Sequence, residues 1–314
     1  MAAGHEATVF SIVAGATPET LVAKDVGKSP LHGAYASLTP VAVGAKDYLL
    51  GYAPAKSALD VYEFVAKPGS LKPVKQKPEI GKAKDIINVF MLANQPYICA
   101  YTAKNGVFEV FSLSGDLAVS KPYKFYRNHE LAISKEFTTL KPFTQYGLVA
   151  FLGYRGDTGY VAMYSVAATV SSATPGVPPL LMTPMWAHPW APGWTRFAFF
   201  SLGGLPFFLK TNTKVLNVNI DHVLDALPSG TAEIGTELQN QLPDALKITN
   251  VEPFVLNGGD PYFVTYIAGS GAAALYRIHG DCLGWTEQAQ FQAPKNATVV
   301  TPVQAGDQTF IVFG

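Results

Sequence analysis

The residues best suited to chemistry are gathered in SSATPGVPPLLMTPMWAHPWAPGWTRF, which holds Trp186, Trp190 and Trp194, with His188 and Arg196 among them. Three indole rings beside an imidazole and a guanidinium suit an aromatic wall or lid over a largely apolar pocket. Prolines from Pro175 to Pro192 restrict the backbone, so the segment reads as a long irregular loop that could still be held in one shape. The competing use of the three tryptophans is packing, as a small plug over a channel. A second set is scattered. Glu252 immediately precedes Pro253 at the start of an apolar strand, where a carboxyl confined by protein can have a raised pKa and serve as acid or base. Asp85 and Tyr35 have analogous positions. Tyr154 and Arg155 lie in GYRGDTG, a turn in which Arg155 and Asp157 also read as a solvated pair. The candidate catalytic residues are therefore His188, Arg196 and Glu252. The candidate substrate-binding residues are Trp186, Trp190, Trp194, Tyr35, Asp85, Tyr154 and Arg155.

HExxH, CxxC, the P-loop, GxGxxG after a strand, the GxSxG elbow and the DxDxDG calcium spacing are all missing from the sequence. The expectation is chemistry without a cofactor or metal, although a calcium site of the kind that propeller lactonases carry stays open through Glu252 and scattered Asn and Asp. Twenty-three Lys and Arg balance twenty-three Asp and Glu, so no basic field draws nucleic acid or anionic lipid. The longest apolar stretch, Phe197 to Leu209, is far too short for a bilayer span and is broken by Gly203, Gly204 and Pro206. The first twenty residues lack the basic start of a signal peptide, which points to a cytoplasmic protein or a mature secreted form. Cys99 and Cys282 are too far apart in the sequence to specify a disulfide framework and read as unpaired thiols.

These residues need a scaffold, and the sequence supplies one by repetition. YLLGYAPAKSALDVYEFV, YICAYTAKNGVFEVFSLS, GLVAFLGYRGDTGYVAMYSV, PFFLKTNTKVLNVNIDHV and YFVTYIAGSGAAALYRIH each read as two alternating strands around a turn. Aligning the second strands puts Tyr62, Phe111, Tyr164, Asn219 and Tyr276 at one position, at spacings of 49, 53, 55 and 57 residues. That interval suits a four-stranded propeller blade. An apolar segment before each hairpin (TPVAVGA, INVFMLA, TTLKPFT, RFAFFSL, VEPFVLN) supplies the innermost strand. A sixth copy is split: VVTPVQAGDQTFIVFG ends the chain with an inner and a second strand, and ATVFSIV near its start supplies the third, with Phe10 at the aligned position. The reading is all-β, a single six-bladed β-propeller domain over residues 1–314, one blade closed by N- and C-terminal strands. IDHVLDALPSGTAEIGTELQNQL reads as a helical insertion.

Three functional classes follow, of which a non-catalytic protein-interaction propeller has no signature in the sequence in either direction. In size and blade count the chain resembles fungal and bacterial propeller lectins, which repeat Trp, Arg and Glu in each blade. Here the tryptophans cluster and the arginines (Arg127, Arg155, Arg196 and Arg277) do not recur at the blade period. The alternative is one asymmetric site on the axis for a single, mostly apolar or aromatic small molecule. In size, apolar character and lack of cofactor motifs the chain is similar to the fungal hetero-Diels–Alderases of tropolone sesquiterpenoid biosynthesis. That resemblance implies dehydration of a benzylic alcohol to a quinone methide followed by cycloaddition to an alkene, and it carries over no residue.

Overall fold

The computed structural model describes residues 5–17, 20–54, 56–81, 84–120, 123–125, 133–145, 147–168, 180–212, 214–215, 217–224, 233–242, 244–256 and 259–314. Their secondary structure is β throughout, in six four-stranded antiparallel sheets. The chain opens with β1 (His5–Ala14) and β2 (Leu21–Leu31), which belong to the last blade. Blade 1 is β3 (Ser37–Val43), β4 (Lys46–Tyr52), β5 (Asp60–Val65) and β6 (Ser70–Val74). Blade 2 is β7 (Ile86–Leu92), β8 (Gln95–Thr102), β9 (Val107–Ser112) and β10 (Tyr123–Phe125). Blade 3 is β11 (Thr139–Gln145), β12 (Leu148–Tyr154), β13 (Tyr160–Ala168) and β14 (Leu180–Pro189). Blade 4 is β15 (Trp194–Leu202), β16 (Leu205–Asn212), β17 (Asn217–Leu224) and β18 (Glu233–Gln241). Blade 5 is β19 (Asn250–Val255), β20 (Pro261–Ile267), β21 (Ala272–Ile278) and β22 (Trp285–Gln292). Blade 6 orders its strands β23 (Val300–Ala305), β24 (Gln308–Phe313), β1, β2 from the axis outward.

The six-bladed propeller is therefore as expected from the sequence, including the divided blade: β1 pairs with β24 from Thr8↔Phe313 to Ile12↔Thr309. Inner strands follow one another around the axis and β23 comes against β3, which closes the ring. Each blade buries an alternating apolar face on the next, so the core is six inter-blade layers. One of these joins Phe64 to Phe310 at 5.0 Å across blades 1 and 6, and another Phe90 to Phe151 at 5.2 Å across blades 2 and 3.

Three sequence expectations need correction. Residues 220–242 hold no helix where described. Asn217, Asn219 and Asp221 alternate with Val218 and Ile220, and that period of two pairs β17 with β16 and β18 while burying Val218, Ile220 and Val223. The segment read as one long loop contains β14, an outer edge strand, where Pro184 and Pro189 are tolerated because the missing N–H faces no partner strand; its first nine residues, 171–179, lie outside the described residues. In blade 4 the aligned position is Asp221 rather than Asn219. Phe208 opposes Asp221 as Phe151 opposes Tyr164 and Phe263 opposes Tyr276. The third-to-fourth strand pairing also bulges at the same place before Phe10, Tyr164, Asp221 and Tyr276.

Candidate functional site

The innermost strand of each blade has one paired edge and one edge turned to the axis. Four of them place proline there, Pro40, Pro142, Pro253 and Pro302, which removes a donor that has no strand to receive it and blunts the edge. The residue before each is forced extended. At that register the six blades present Thr39, Asn88, Lys141, Ala198, Glu252 and Thr301. The same strands line a cavity of about 430 Å³ at the channel mouth, walled by Thr39, Asn88, Lys141, Glu252 and Thr301 with Asp85, Thr138, Asn250 and Thr298 nearer the entrance.

Two members of this ring hold the blades together. Asn88 Nδ2 donates to the Leu140 carbonyl of the next blade at 2.7 Å, and Thr301 Oγ1 donates to the Leu38 carbonyl at 2.7 Å. Lys141 and Glu252 are different: among the described residues neither makes a direct hydrogen bond or ion pair. Glu252 is only half-buried by surface, because a narrow channel admits water, yet protein surrounds it closely. That confinement raises its carboxyl pKa, and the positive fields of Lys141 and Arg196 offset the rise only in part.

Arg196 reaches this neighbourhood through an irregularity. Strand β15 lies between β11 and β19 in the ring, and its pairing with β16 slips between Thr195 and Ala198. Arg196 in the slip has a left-handed backbone, φ 54°, unfavourable for a side chain with a Cβ. Bulges re-aim side chains, and strained residues cluster at functional sites. Arg196 is exposed at the surface, yet nearby protein lowers its guanidinium pKa while the Glu252 charge opposes that shift, so the two groups sense each other. Three adjacent blades thus offer Lys141, Arg196 and Glu252, two cations and a carboxyl whose pKa is raised, none bonded to another.

The other sequence candidates are placed as follows. Asp85 lines the entrance, its Oδ2 accepting from the Ala103 amide at 2.6 Å. Tyr35 is buried, its hydroxyl donating to Asp60 at 2.8 Å and lying 2.7 Å from the Tyr62 hydroxyl, and burial pushes its pKa far up. Asp60 gathers Lys56 and Lys77 at 2.7 Å each; burial would raise its pKa, but these bonds outweigh it and hold it well below the usual range. Tyr154 is one of four equivalent tyrosines ending second strands. Tyr52 and Tyr101 hydrogen-bond through their hydroxyls to the backbone entering the next blade, as do Tyr154, to Ala191 and Trp194, and Tyr266, to Pro294. Arg155 pairs with Glu136 at 2.7 Å and Asp157 at 3.6 Å. His188 stacks on Trp186 on the outermost strand of blade 3, away from the axis and exposed.

Trp190 and Trp194 form no wall over the channel. They cover the buried Lys210–Asp221 pair, with Lys210 Nζ at 3.9 Å from the centroid of Trp190 and 4.6 Å from that of Trp194. Trp194 has the blade position that Tyr35 and Phe137 hold elsewhere, facing Lys210 where the others face Gly51 and Gly153. A Cβ on Gly153 would stand 2.6 Å from the Phe137 ring. Large-over-small packing at the blade entry therefore claims Tyr35, and the buried Lys210 ammonium claims Trp194. The channel lining is correspondingly more polar than the sequence reading expected.

Sequence reasoning reached Glu252, Arg196 and Asp85 and missed Lys141. The signal that could have found it is the repeated pair before the inner-strand core: Thr39-Pro40, Lys141-Pro142, Glu252-Pro253 and Thr301-Pro302. Among the described residues no three His, Cys, Asp or Glu side chains gather as a metal site would require, and Glu252 has cations beside it, an unfavourable neighbourhood for calcium. Cys99 and Cys282 are unpaired and buried, their thiols raised to about 12 and about 11 by burial. No described helix is long and apolar enough to cross a membrane.

No protein-family model matches the chain, and no curated protein matches it. Solved structures do. A candidate 6-phosphogluconolactonase of Bacteroides fragilis is similar at 13% identity and a TM-score of 0.54, over 96% of this chain and 86% of that one. Another from Bacteroides uniformis aligns at 12% and 0.53, over 96% and 87%. An exo-β-1,3-galactanase of Clostridium thermocellum aligns at 10% and 0.51, over 85% of this chain and 64% of that one. At such identities the likeness is one of fold, the propeller.

Proposed function

We propose that the chain is an enzyme acting on one small molecule bound at the upper mouth of the central channel, with Glu252 as proton donor and acceptor and Lys141 and Arg196 as its electrostatic partners. The observation that carries this reading is that two uncommitted charged groups from different blades, Lys141 and Glu252, line a cavity of about 430 Å³, while Arg196, exposed and outside that lining, lies on the blade between them and acts electrostatically on Glu252. Buried charges that serve the fold are bonded here, as Asp60 and Asp221 are. Groups held apart are left for a ligand.

The finer reading is dehydrative cycloaddition. A protonated Glu252 gives its proton to a benzylic hydroxyl, the C–O bond breaks and water leaves. The ortho phenol surrenders its proton, which restores the carboxyl, while Lys141 and Arg196 stabilise the phenolate oxygen on the way. The resulting ortho-quinone methide then adds across an alkene, forming one C–C and one C–O bond without further proton transfer. The site's task is general acid catalysis plus orientation. The raised Glu252 carboxyl, its cationic neighbours and the sequence-level resemblance support it.

The test uses 2-hydroxybenzyl alcohol with an electron-rich cyclic alkene and follows chroman formation. Wild type is expected to accelerate it, and Glu252→Gln to lose about a hundredfold or more while melting no lower than wild type. Equal rates in both proteins would remove the cyclase reading. Calorimetry with monosaccharides that found several equivalents bound, in place of about one ligand per chain, would overturn the single-site reading as well.

A further inference from the structure

The channel has a second chamber. Below the proline waist, Pro40, Pro253 and Pro302 also border a cavity of about 600 Å³ at the opposite mouth, lined by Val41, Tyr48, Phe254, Leu256, Val303 and Asp47. Its volume falls within the roughly 300 to 1,000 Å³ of small-molecule sites.

Its polar side chains divide sharply. The Thr309 hydroxyl donates to Gln304 Oε1 at 2.7 Å and lies 3.2 Å from the Val255 carbonyl, and Gln304 Nε2 donates to the Gly306 carbonyl at 3.0 Å. These two are satisfied. Asp47 has no ion-pair or hydrogen-bond partner among the described residues, and the adjacent lysine, Lys46, turns to Glu63 at 3.0 Å. Burial alone acts on the Asp47 carboxyl, raising its pKa with nothing opposing. Asp47 is half-buried against an apolar wall with no protein partner among the described residues, and a ligand cation would supply one.

We propose that the lower mouth binds a small apolar or aromatic amine, with its ammonium on Asp47 and its hydrocarbon body on Tyr48, Phe254 and Val303. The site is separate from the upper chamber and does not depend on the function proposed there.

The test is fluorescence titration with 1-naphthylmethylamine and its neutral counterpart, 1-naphthylmethanol. Wild type is expected to bind the amine about tenfold more tightly than the alcohol, the gain of one charge-assisted hydrogen bond. Asp47→Asn is expected to erase that preference while retaining alcohol binding. Ala42→Trp, at an exposed position on the cavity wall, is expected to abolish binding of both, and Glu252→Gln to change neither. Melting temperatures show that each variant is folded, with Asp47→Ser as the second charge-removing variant. Equal affinity of wild type for amine and alcohol, a preference that survives in Asp47→Asn, or no binding at millimolar probe overturns the proposal. So does binding that responds to Glu252→Gln and not to Ala42→Trp, which would place the probe in the upper chamber.

Discussion

Glu252 and Asp60 show two fates for a carboxyl in one fold. Asp60 receives three donors and is held ionised; Glu252 receives none and is held toward its neutral form. The sign of the linkage follows. A carboxyl with a raised folded pKa binds its proton more tightly folded than unfolded, so its contribution falls as pH climbs from the ordinary glutamate value through the folded one. Glu252→Gln is therefore expected to match wild type in melting temperature near pH 4 and to gain on it as pH rises toward 8. An offset that is the same at every pH would mean Glu252 does not titrate in that range. This carboxyl was legible beforehand because a glutamate ahead of Pro253 on an apolar strand is conspicuous. Lys141 was not, since a lone lysine among polar neighbours carries no local mark and only closure of the ring sets it near Glu252.

At the scale of a strand, β15 sacrifices regularity for the placement of Arg196. Glycine adopts its left-handed backbone without penalty, whereas alanine does not. Arg196→Gly is expected to melt at or above wild type, with a gain of about 1 kcal/mol, and Arg196→Ala below it; both are expected to lose turnover. If Arg196→Gly is the less stable of the two, the bulge carries no strain. Blade 4 departs from its sisters again at Asp221, and that departure explains why alignment by aromatic residues slipped by two positions to Asn219. An acid in the place of an aromatic gives the eye nothing to align. Its partner Lys210 occupies the position that Gly51 and Gly153 hold elsewhere, and Trp190 and Trp194 cover the pair. Tryptophans that looked like a ligand wall are thus fixed by a buried charge that the sequence does not pair. Lys210→Met alone is expected to cost about 3 to 5 kcal/mol by stranding Asp221, and Lys210→Met with Asp221→Leu to recover most of it. Equal destabilisation in the single and double variants, read from denaturant midpoints, would show that the pair's shape matters more than its charge.

At the scale of the ring, closure was the most legible feature because it rests on counting: a repeat interrupted at one end of the chain and resumed at the other fits a closed ring and has no place in an open stack of sheets. The structure gives that closure a backbone. All six blades meet their neighbours through side chains, and within the sixth β1 is hydrogen-bonded on both sides, to β24 from the chain's end and to β2 from its start. Val9 is fully buried in the layer shared with blade 1, and Phe10 packs against Phe313 at 5.5 Å and Phe291 at 5.1 Å in the layer shared with blade 5. Deleting residues 1–13 would uncover the edge of β24, separate β2 from the sheet and remove apolar contacts from two inter-blade layers at once. Each buried Val, Ile or Phe side chain contributes roughly 1.5–3 kcal/mol, so the loss of Val9, Phe10 and Ile12 is comparable to the whole stability of a marginal domain. The truncated chain is expected to be insoluble or to melt far below the parent, because an exposed β24 edge offers itself to other chains. Adding the peptide of residues 1–31 in trans should then restore solubility by re-forming both outer strands. A truncated chain that melts with the parent, peptide or no peptide, would mean the ring is held by side-chain packing between blades and that the shared sheet is incidental to it.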